Sequence, residues 1–274
     1  NQILVTGGAG FVGRALLREL AKTKQKTITV SKKRSFKFPG VKVFYGNLED
    51  ERFCNKILKG VSTVFYLAGA KKNVKHHVQR PLDYVVGNVS PLLAFLRAVE
   101  KNKVKKIVYL SSTNVEYLGV EKKLDGYVVG KYLSELILRA FEEQAGREVK
   151  IVRSVGIYGP GDNFDPAAAN FIPATIKRVY QAQDTVTVWG KGTRKMQFIF
   201  VGDLVKNLIR ISRLPKSKKF FVCGYPRPAG VNQIVKMIIQ IFGKRLKIVH
   251  DLSPPDKPTQ LAKVKNPVVP QVAM

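Results

Sequence analysis

Apolar positions in this chain fall into short β-rich runs separated by stretches with helical spacing. The runs are Ile3-Leu4-Val5, Thr27–Val30, Val41–Tyr45, Val61–Leu67, Lys106–Leu110 and Val149–Val152. Between them, Arg14–Leu20, about Leu92–Lys101 and about Gly130–Gln144 repeat apolar residues every three or four positions, one stripe of a helix. Strand and helix in alternation predict an α/β protein with a doubly wound parallel sheet and helices on both faces. Beyond Gly159-Pro160-Gly161 the rhythm changes: proline becomes more frequent, a helix is expected near Ile172–Gln181, and a strand over Val186–Trp189.

The junction between the first strand and the first helix carries the most specific string, Thr6-Gly7-Gly8-Ala9-Gly10-Phe11-Val12-Gly13. A G-x-G-x-x-G set between a strand and a helix is the fingerprint of a dinucleotide-binding turn. By that pattern Gly8 makes the tight turn, Gly10 lets a pyrophosphate approach the backbone, and Gly13 lets helix pack on strand. Gly7, Phe11 and Val12 complete the cradle, where the first N–H groups of the helix meet the phosphates. The fold expected is therefore Rossmann-type, with a smaller C-terminal substrate lobe. Residues 1–158 form the dinucleotide-binding domain, 159–252 a substrate-side lobe interleaved with it, and 253–274 an irregular Pro-rich tail.

Charge changes this picture. Lys plus Arg number 48 against 19 Asp plus Glu, a formal net charge of +29. From Lys22 to Lys42 there are eight cations and no acid. Further runs are Lys71-Lys72 with Lys75, Lys101–Lys106, Lys216–Lys219 and Lys244–Lys247. Spread over the whole chain, they imply a polyanionic neighbour, RNA above all, met by a folded body rather than by a tail. Nothing approaches the ~18 consecutive apolar residues of a membrane span, and no signal peptide is visible. Cys54 and Cys223 have neither metal nor disulfide spacing and read as buried thiols of a reducing intracellular compartment, the mitochondrial matrix or else the cytoplasm. His76-His77 and His250 lack partners at metal spacing and read as surface histidines; Trp189 reads as packed in the core or a loop.

The second strand ends in Ser31-Lys32-Lys33-Arg34, with no acid to take a ribose diol. Ser31, Lys32 and Arg34 therefore point to NADP(H) over NAD(H).

In order along the chain stand the glycine loop, Tyr45-Gly46-Asn47-Leu48-Glu49-Asp50, Phe65-Tyr66-Leu67-Ala68-Gly69-Ala70, Asn88-Val89, Ser111-Ser112-Thr113, Tyr127 with Lys131, and Tyr158-Gly159-Pro160-Gly161. Over about residues 2–262 this set resembles the extended short-chain dehydrogenase/reductases of the NAD(P)-dependent nucleotide-sugar epimerase/dehydratase type. Tyr158–Pro166, Phe171–Ala174 and Val188–Thr193 are most similar to the GDP-L-fucose synthase branch. The resemblance implies Tyr127 as acid/base, Lys131 one turn later to lower its pKa and hold ribose, and Ser111 or Thr113 on the reacting oxygen. It further implies Asn47, Leu48, Leu67, Ala68 and Gly69 at the dinucleotide, and Asn88, Asn170, Arg178 and Arg194 at a nucleotide-sugar.

Departures from that branch are specific. Asn170 stands in place of a catalytic histidine, Thr113 of a cysteine, Met196 of a phosphate-holding arginine and Gly156 of an asparagine, and the interval from Thr113 to Tyr127 is short. Two readings stay open. One is an NADP(H)-dependent nucleotide-sugar epimerase or reductase. The other is a catalytically reduced relative, serving as a basic RNA-contacting component of a large ribonucleoprotein such as a mitochondrial ribosome. No residues suit a metal site.

Overall fold

The computed structural model describes residues 2–71, 74–119, 124–165, 168–253 and 259–264, without the side chains of 74 and 75. Lys72, the Lys75 side chain and most of the Pro-rich tail lie outside the described residues.

The first half alternates as its apolar pattern requires: β1 (Gln2–Thr6), α1 (Phe11–Ala21), β2 (Thr27–Ser31), β3 (Lys42–Tyr45), α2 (Glu51–Leu58), β4 (Val61–Tyr66), α3 (Val74–Gln79) and α4 (Pro81–Lys101). There follow β5 (Lys106–Ser112), a 3-10 turn (Thr113–Tyr117), α5 (Gly126–Ala145), β6 (Glu148–Ser154) and β7 (Gly156–Tyr158). The later part contributes α6 (Phe171–Gln181), β8 (Thr185–Trp189), β9 (Lys195–Met196), β10 (Phe198–Phe200) and α7 (Val201–Ser212). It closes with β11 (Phe220–Cys223), β12 (Ala229–Gly230), α8 (Val231–Ile241) and β13 (Lys247–Asp251).

Seven strands form one parallel sheet in the order β11-β6-β5-β4-β1-β2-β3. The chain winds outward from β1 to β3, then crosses back to β4 on the other side of β1. That reversal opens a crevice at the carboxyl ends of β1 and β4, where ligands bind in open α/β sheets. Strand residues alternate between the two faces. Ile3 and Val5 pack with α1 and α7, whereas Leu4, Val64 and Ile107 pack with α2, α4 and α5. Both faces are covered, which explains the unbroken apolar runs of these strands. The expected doubly wound fold is thus the one observed. Two of its elements come from late in the chain, α7 against α1 and β11 beside β6.

Helix α4 starts well before the expected Leu92, because Pro81 sits at its beginning, where fixed φ and a missing N–H suit the first turn. By length and composition it could cross a membrane. Here it is a core helix, with Leu92, Phe95, Leu96 and Val99 turned into the sheet cluster. Helix α5 likewise begins at Gly126 rather than near Gly130, capped by Asp125, whose Oδ1 accepts from the N–H groups of Tyr127 (2.9 Å) and Val128 (3.2 Å).

A second cluster gathers α6, β8, β10 and α8 around Val179, Val188, Phe198 and Val235. Strand β13 pairs parallel with β8 and closes it. Trp189 does not join this core; it is 71% exposed. The pleat is the reason, since Val186 and Val188 face inward and the period of two turns Trp189 out. Cys54 and Cys223 are buried, and burial pushes both thiols up to about 12.

Phe95 is fully buried and meets Tyr66 edge-on at 5.2 Å between centroids. Phe95→Ala should cost about 3–5 kcal/mol in urea unfolding, whereas Trp189→Ala should stay within about 0.5 kcal/mol.

Candidate active site

The glycine loop leaves β1 through Gly7, whose φ of +70° is the left-handed turn. The turn therefore lies at Gly7, not at Gly8 as the motif alone implied. Gly8 is glycine for space: a Cβ there would sit 1.9 Å from Thr29 Oγ1, a hydroxyl anchored to the Val5 carbonyl at 2.7 Å. Gly13 has its expected role, since a Cβ on it would lie 2.1 Å from the Gly7 carbonyl oxygen. Gly10 caps α1 with no side-chain hydrogen bond, and a Cβ on it would meet the Gly7 carbonyl oxygen alone, at 3.2 Å. The N-terminus of α1, flanked by half-buried Phe11 and Val12 and free of acids in its first turn, faces this opening.

Around the crevice, Thr6 Oγ1 accepts from the N–H groups of Leu67 and Ala68, both at 3.1 Å, and so joins the ends of β1 and β4. Ser31 is buried at the end of β2, its hydroxyl bonded within the turn to the main chain of Lys33, while Lys32 and Arg34 are exposed. Arg14, not singled out from the sequence, lies beside them. Its Nε donates to the Ala9 carbonyl at 3.1 Å, and its guanidinium stands 4.9 Å over the Phe36 ring. Asn47 donates to Glu49 at 2.8 Å. The Leu48 side chain belongs to the core, so only its backbone remains available to a ligand.

Tyr127, Lys131 and Glu135 follow at intervals of four on one face of α5. Lys131 Nζ donates to the Leu110 carbonyl at 2.8 Å and would lie 3.5 Å from a Cβ on Gly69. Asn88 reaches the same point from α4: its Nδ2 donates to the carbonyls of Tyr84 (2.7 Å) and Ala70 (3.1 Å). Its Oδ1 is buried with no hydrogen-bond partner among the described residues. An orphaned buried acceptor beside a lysine and a glycine cradle fits a ligand rich in hydroxyl and phosphate groups.

The hydroxyls divide differently from expectation. Ser111 donates to Glu135 Oε1 at 2.5 Å, and Glu135 is in turn held by Arg153 at 2.7 Å and 3.0 Å. Thr113 Oγ1 donates to the Ser154 carbonyl at 3.3 Å. The hydroxyl that acts on the Tyr127 phenol, favouring its ionised form, is that of Ser112. Neighbouring strand residues point to opposite faces, so Ser112 is directed where Ser111 is not. Its sequence signal was only its place in Ser-Ser-Thr.

His77 is the larger departure. It is 2% exposed rather than on the surface, its ring stacked on Tyr127 at 5.1 Å and its Nδ1 3.5 Å from Asp125 Oδ1. Tyr84 meets the same imidazole at 4.5 Å, and Lys71 Nζ lies 5.7 Å from the Tyr127 ring centre. Burial pushes the Tyr127 phenol up to about 12, with the Asp125 charge adding and Ser112 opposing. Burial, aided by the Lys71 charge and opposed by Glu135, brings Lys131 down to about 7.

From the other lobe, Asn170 is the N-cap of α6 without a side-chain cap bond. Arg178 donates to the Thr187 carbonyl (2.9 Å) and Thr175 Oγ1 (3.2 Å), leaving its buried Nε unpartnered among the described residues. Arg194 is half-buried before β9, and its carbonyl accepts from Val231 N–H at 3.0 Å. Asp162 carries a buried Oδ2 without a hydrogen-bond partner among the described residues, and the Lys71 charge acts on its carboxyl.

A glycine turn at the switch point of a doubly wound parallel sheet defines a Rossmann-type fold. Residues 3–224 match the NAD-dependent epimerase/dehydratase family, and the chain belongs to it. It is 24% identical to dTDP-4-dehydro-6-deoxy-D-allose reductase of Streptomyces bikiniensis, over 91% of this chain and 83% of that one. It is 23% identical to GDP-L-fucose synthase of Azorhizobium caulinodans, over 93% and 85%. The fold is that of UDP-glucose 4-epimerase from Thermus thermophilus, solved in complex with NAD: TM-score 0.82, 18% identity, 96% of this chain and 90% of that one.

Removing the stacked imidazole opens the phenol to water. In His77→Ala, the Tyr127 phenol should titrate below about 12, because burial is its largest perturbation. Carbon-13 NMR of ζ-labelled tyrosine reads this directly; an unmoved titration would leave His77 with packing alone.

Proposed function

We propose that the protein is a nicotinamide-dinucleotide-dependent reductase or epimerase of nucleotide-linked sugars, with Tyr127 as acid/base and NADP(H) favoured over NAD(H). The observation that carries this reading is the convergence of Tyr127, Lys131, Asn88 and Gly69 at the crevice facing the glycine loop. The substrate class comes from the relatives, both of which are named for nucleotide-linked sugars.

A bound nicotinamide would supply hydride exchange; the chain supplies placement and the proton. Gly7–Gly13 and the first turn of α1 hold phosphates, while Lys131 N–H groups take ribose hydroxyls and Asn88 Oδ1 a hydroxyl of the nucleotide-sugar. With a phenol near 12, Tyr127 is protonated at neutral pH. It is thus set to donate to a carbonyl oxygen, with the Ser112 hydroxyl acting on the same phenol. In the reverse sense the phenolate would accept a hydroxyl proton, favoured by a charged Lys131. Arg178, Arg194 and Asn170 are proposed to meet the sugar nucleotide.

The preference for the 2′-phosphate rests on Arg14, Lys32 and Arg34 at the mouth of the glycine loop, where no acid awaits a ribose diol. One charged hydrogen bond contributes about 1.5–3 kcal/mol, or about 10- to 150-fold. Wild type should bind NADPH more tightly than NADH by that factor, and Arg14→Ala with Lys32→Ala should bring the ratio towards one. Tyr127→Phe should cut turnover of the sugar nucleotide by about 10²–10⁴ while leaving dinucleotide affinity in place.

Lys131 offers a check that needs no turnover. Free, it titrates near 7; an anionic dinucleotide raises that value, so the complex holds more protons than its parts. Affinity should therefore fall as pH rises through 7. Calorimetry at pH 8 in buffers of different ionisation enthalpy should register up to about one proton taken up, and none in Lys131→Met.

The charge of +29, together with Asn170, Thr113 and Met196, favours a second reading, a catalytically reduced protein built into a ribonucleoprotein. Turnover by RNA-free protein would rule out the loss of catalysis.

A further inference from the structure

All seven strands of the main sheet run the same way, so all begin on one edge, and the segment before each ends there. Lysines gather at that edge. Lys26 precedes β2, Lys59 precedes β4, Lys103 and Lys105 precede β5, and Lys216 and Lys218 precede β11; all six are exposed. None has a carboxylate at ion-pair distance among the described residues. Nearby acids are already engaged: Glu148 by Lys106 and Lys150, Glu142 by Lys219, Glu19 by Lys22. Glu100, three residues before Lys103, and Glu143, in the last turn of α5, are exposed acids.

The row is continuous. Main-chain bonds run from Ile3 to Lys26 (2.9 Å), Lys105 to Ser62 (3.1 Å), Glu148 to Lys105 (3.1 Å) and Ile151 to Lys219 (2.8 Å). At about 4.8 Å per strand, the edge from β2 to β11 spans about 24 Å, long enough to face several successive phosphates of one strand. Its presentation is also fixed. Lys150, fully buried in β6, donates to the carbonyls of Pro215 (2.9 Å) and Lys218 (2.8 Å), pinning the loop that carries Lys216 and Lys218. Lys103 has φ of +54°, a left-handed position after α4 where glycine is favoured. A cation occupies it at a cost in local strain.

We propose that this strand-start edge docks an RNA strand through its phosphates, at the opposite end of the sheet from the dinucleotide crevice. The proposal takes its partner from the polyanion of the second reading but does not depend on lost catalysis. A membrane surface fits less well, because interfacial binding also calls for buried apolar side chains. Phe220, a large exposed apolar residue at this edge, has the Arg153 guanidinium 4.5 Å over its ring.

The test is fluorescence anisotropy with a labelled 20-nucleotide mixed-sequence RNA, followed from 50 to 200 mM salt. Six contacts predict a slope of log affinity on log salt of about −4. Lys103→Glu, Lys105→Glu and Lys218→Glu together should weaken binding at least tenfold and flatten the slope by about 2. The reversals Lys236→Glu, Arg245→Glu and Lys247→Glu, exposed on the other lobe, should change it less than threefold. Lys103→Gly should keep or raise the melting temperature while still weakening binding, which separates contact from folding. The proposal is overturned by absent RNA binding at 50 mM salt or an equal loss in the control variant. Anionic phosphatidylserine vesicles captured through the edge lysines without RNA binding would equally sink it. NADPH affinity, measured in parallel, reports the crevice separately, so failure here leaves the enzymatic reading standing.

Discussion

The crevice depends on one side chain. Thr6, the last residue of β1, is fully buried, and its hydroxyl accepts from two successive backbone N–H groups just past β4. At a switch point the two strands diverge toward helices on opposite faces, so their ends would leave unpaired donors. Thr6 satisfies them and sets the separation of Gly7 from Ala68, already so small that a Cβ on Gly7 would lie 2.9 Å from the Ala68 nitrogen. The glycine loop on one side and Gly69, Asn88 and Lys131 on the other take their positions from that joint.

Burial then decides the chemistry of the site. Lys131 and Tyr127 are each pushed towards their neutral forms, the lysine down and the phenol up, by the same exclusion of water. Lys71 adds a like charge to the lysine, and Asp125 adds one to the phenolate. His77 belongs to this arrangement because it covers the phenol and touches the carboxylate that caps α5.

Parallel strand direction has a second consequence. It collects every strand end at the crevice and every strand start at the far edge, separating helix N-termini and ligand groups from the lysine-rich turns. A chain with net charge +29 meets self-repulsion in any compact state. Six of those lysines stand exposed along one open edge, where solvent and counterions screen them.

The order of strands and helices, the cradle of Gly7, Gly10 and Gly13, and the Tyr127–Lys131 pair were legible from sequence, because each is a local pattern: a period, a turn, a four-residue spacing. The roles of Ser111, Ser112 and Thr113 were not, since three adjacent hydroxyls look alike until the pleat and Glu135 choose among them. Neither was His77, whose neighbours Tyr84, Asp125 and Tyr127 lie up to fifty residues away. Arg14 was hidden in a helix that read only as an amphipathic stripe. Local sequence determined which elements form and the glycine turn among them, because hydrogen bonding and periodicity act over a few residues. Tertiary structure alone decided which polar groups lose water together, because desolvation and Coulomb interaction depend on neighbours that the chain supplies from distant segments.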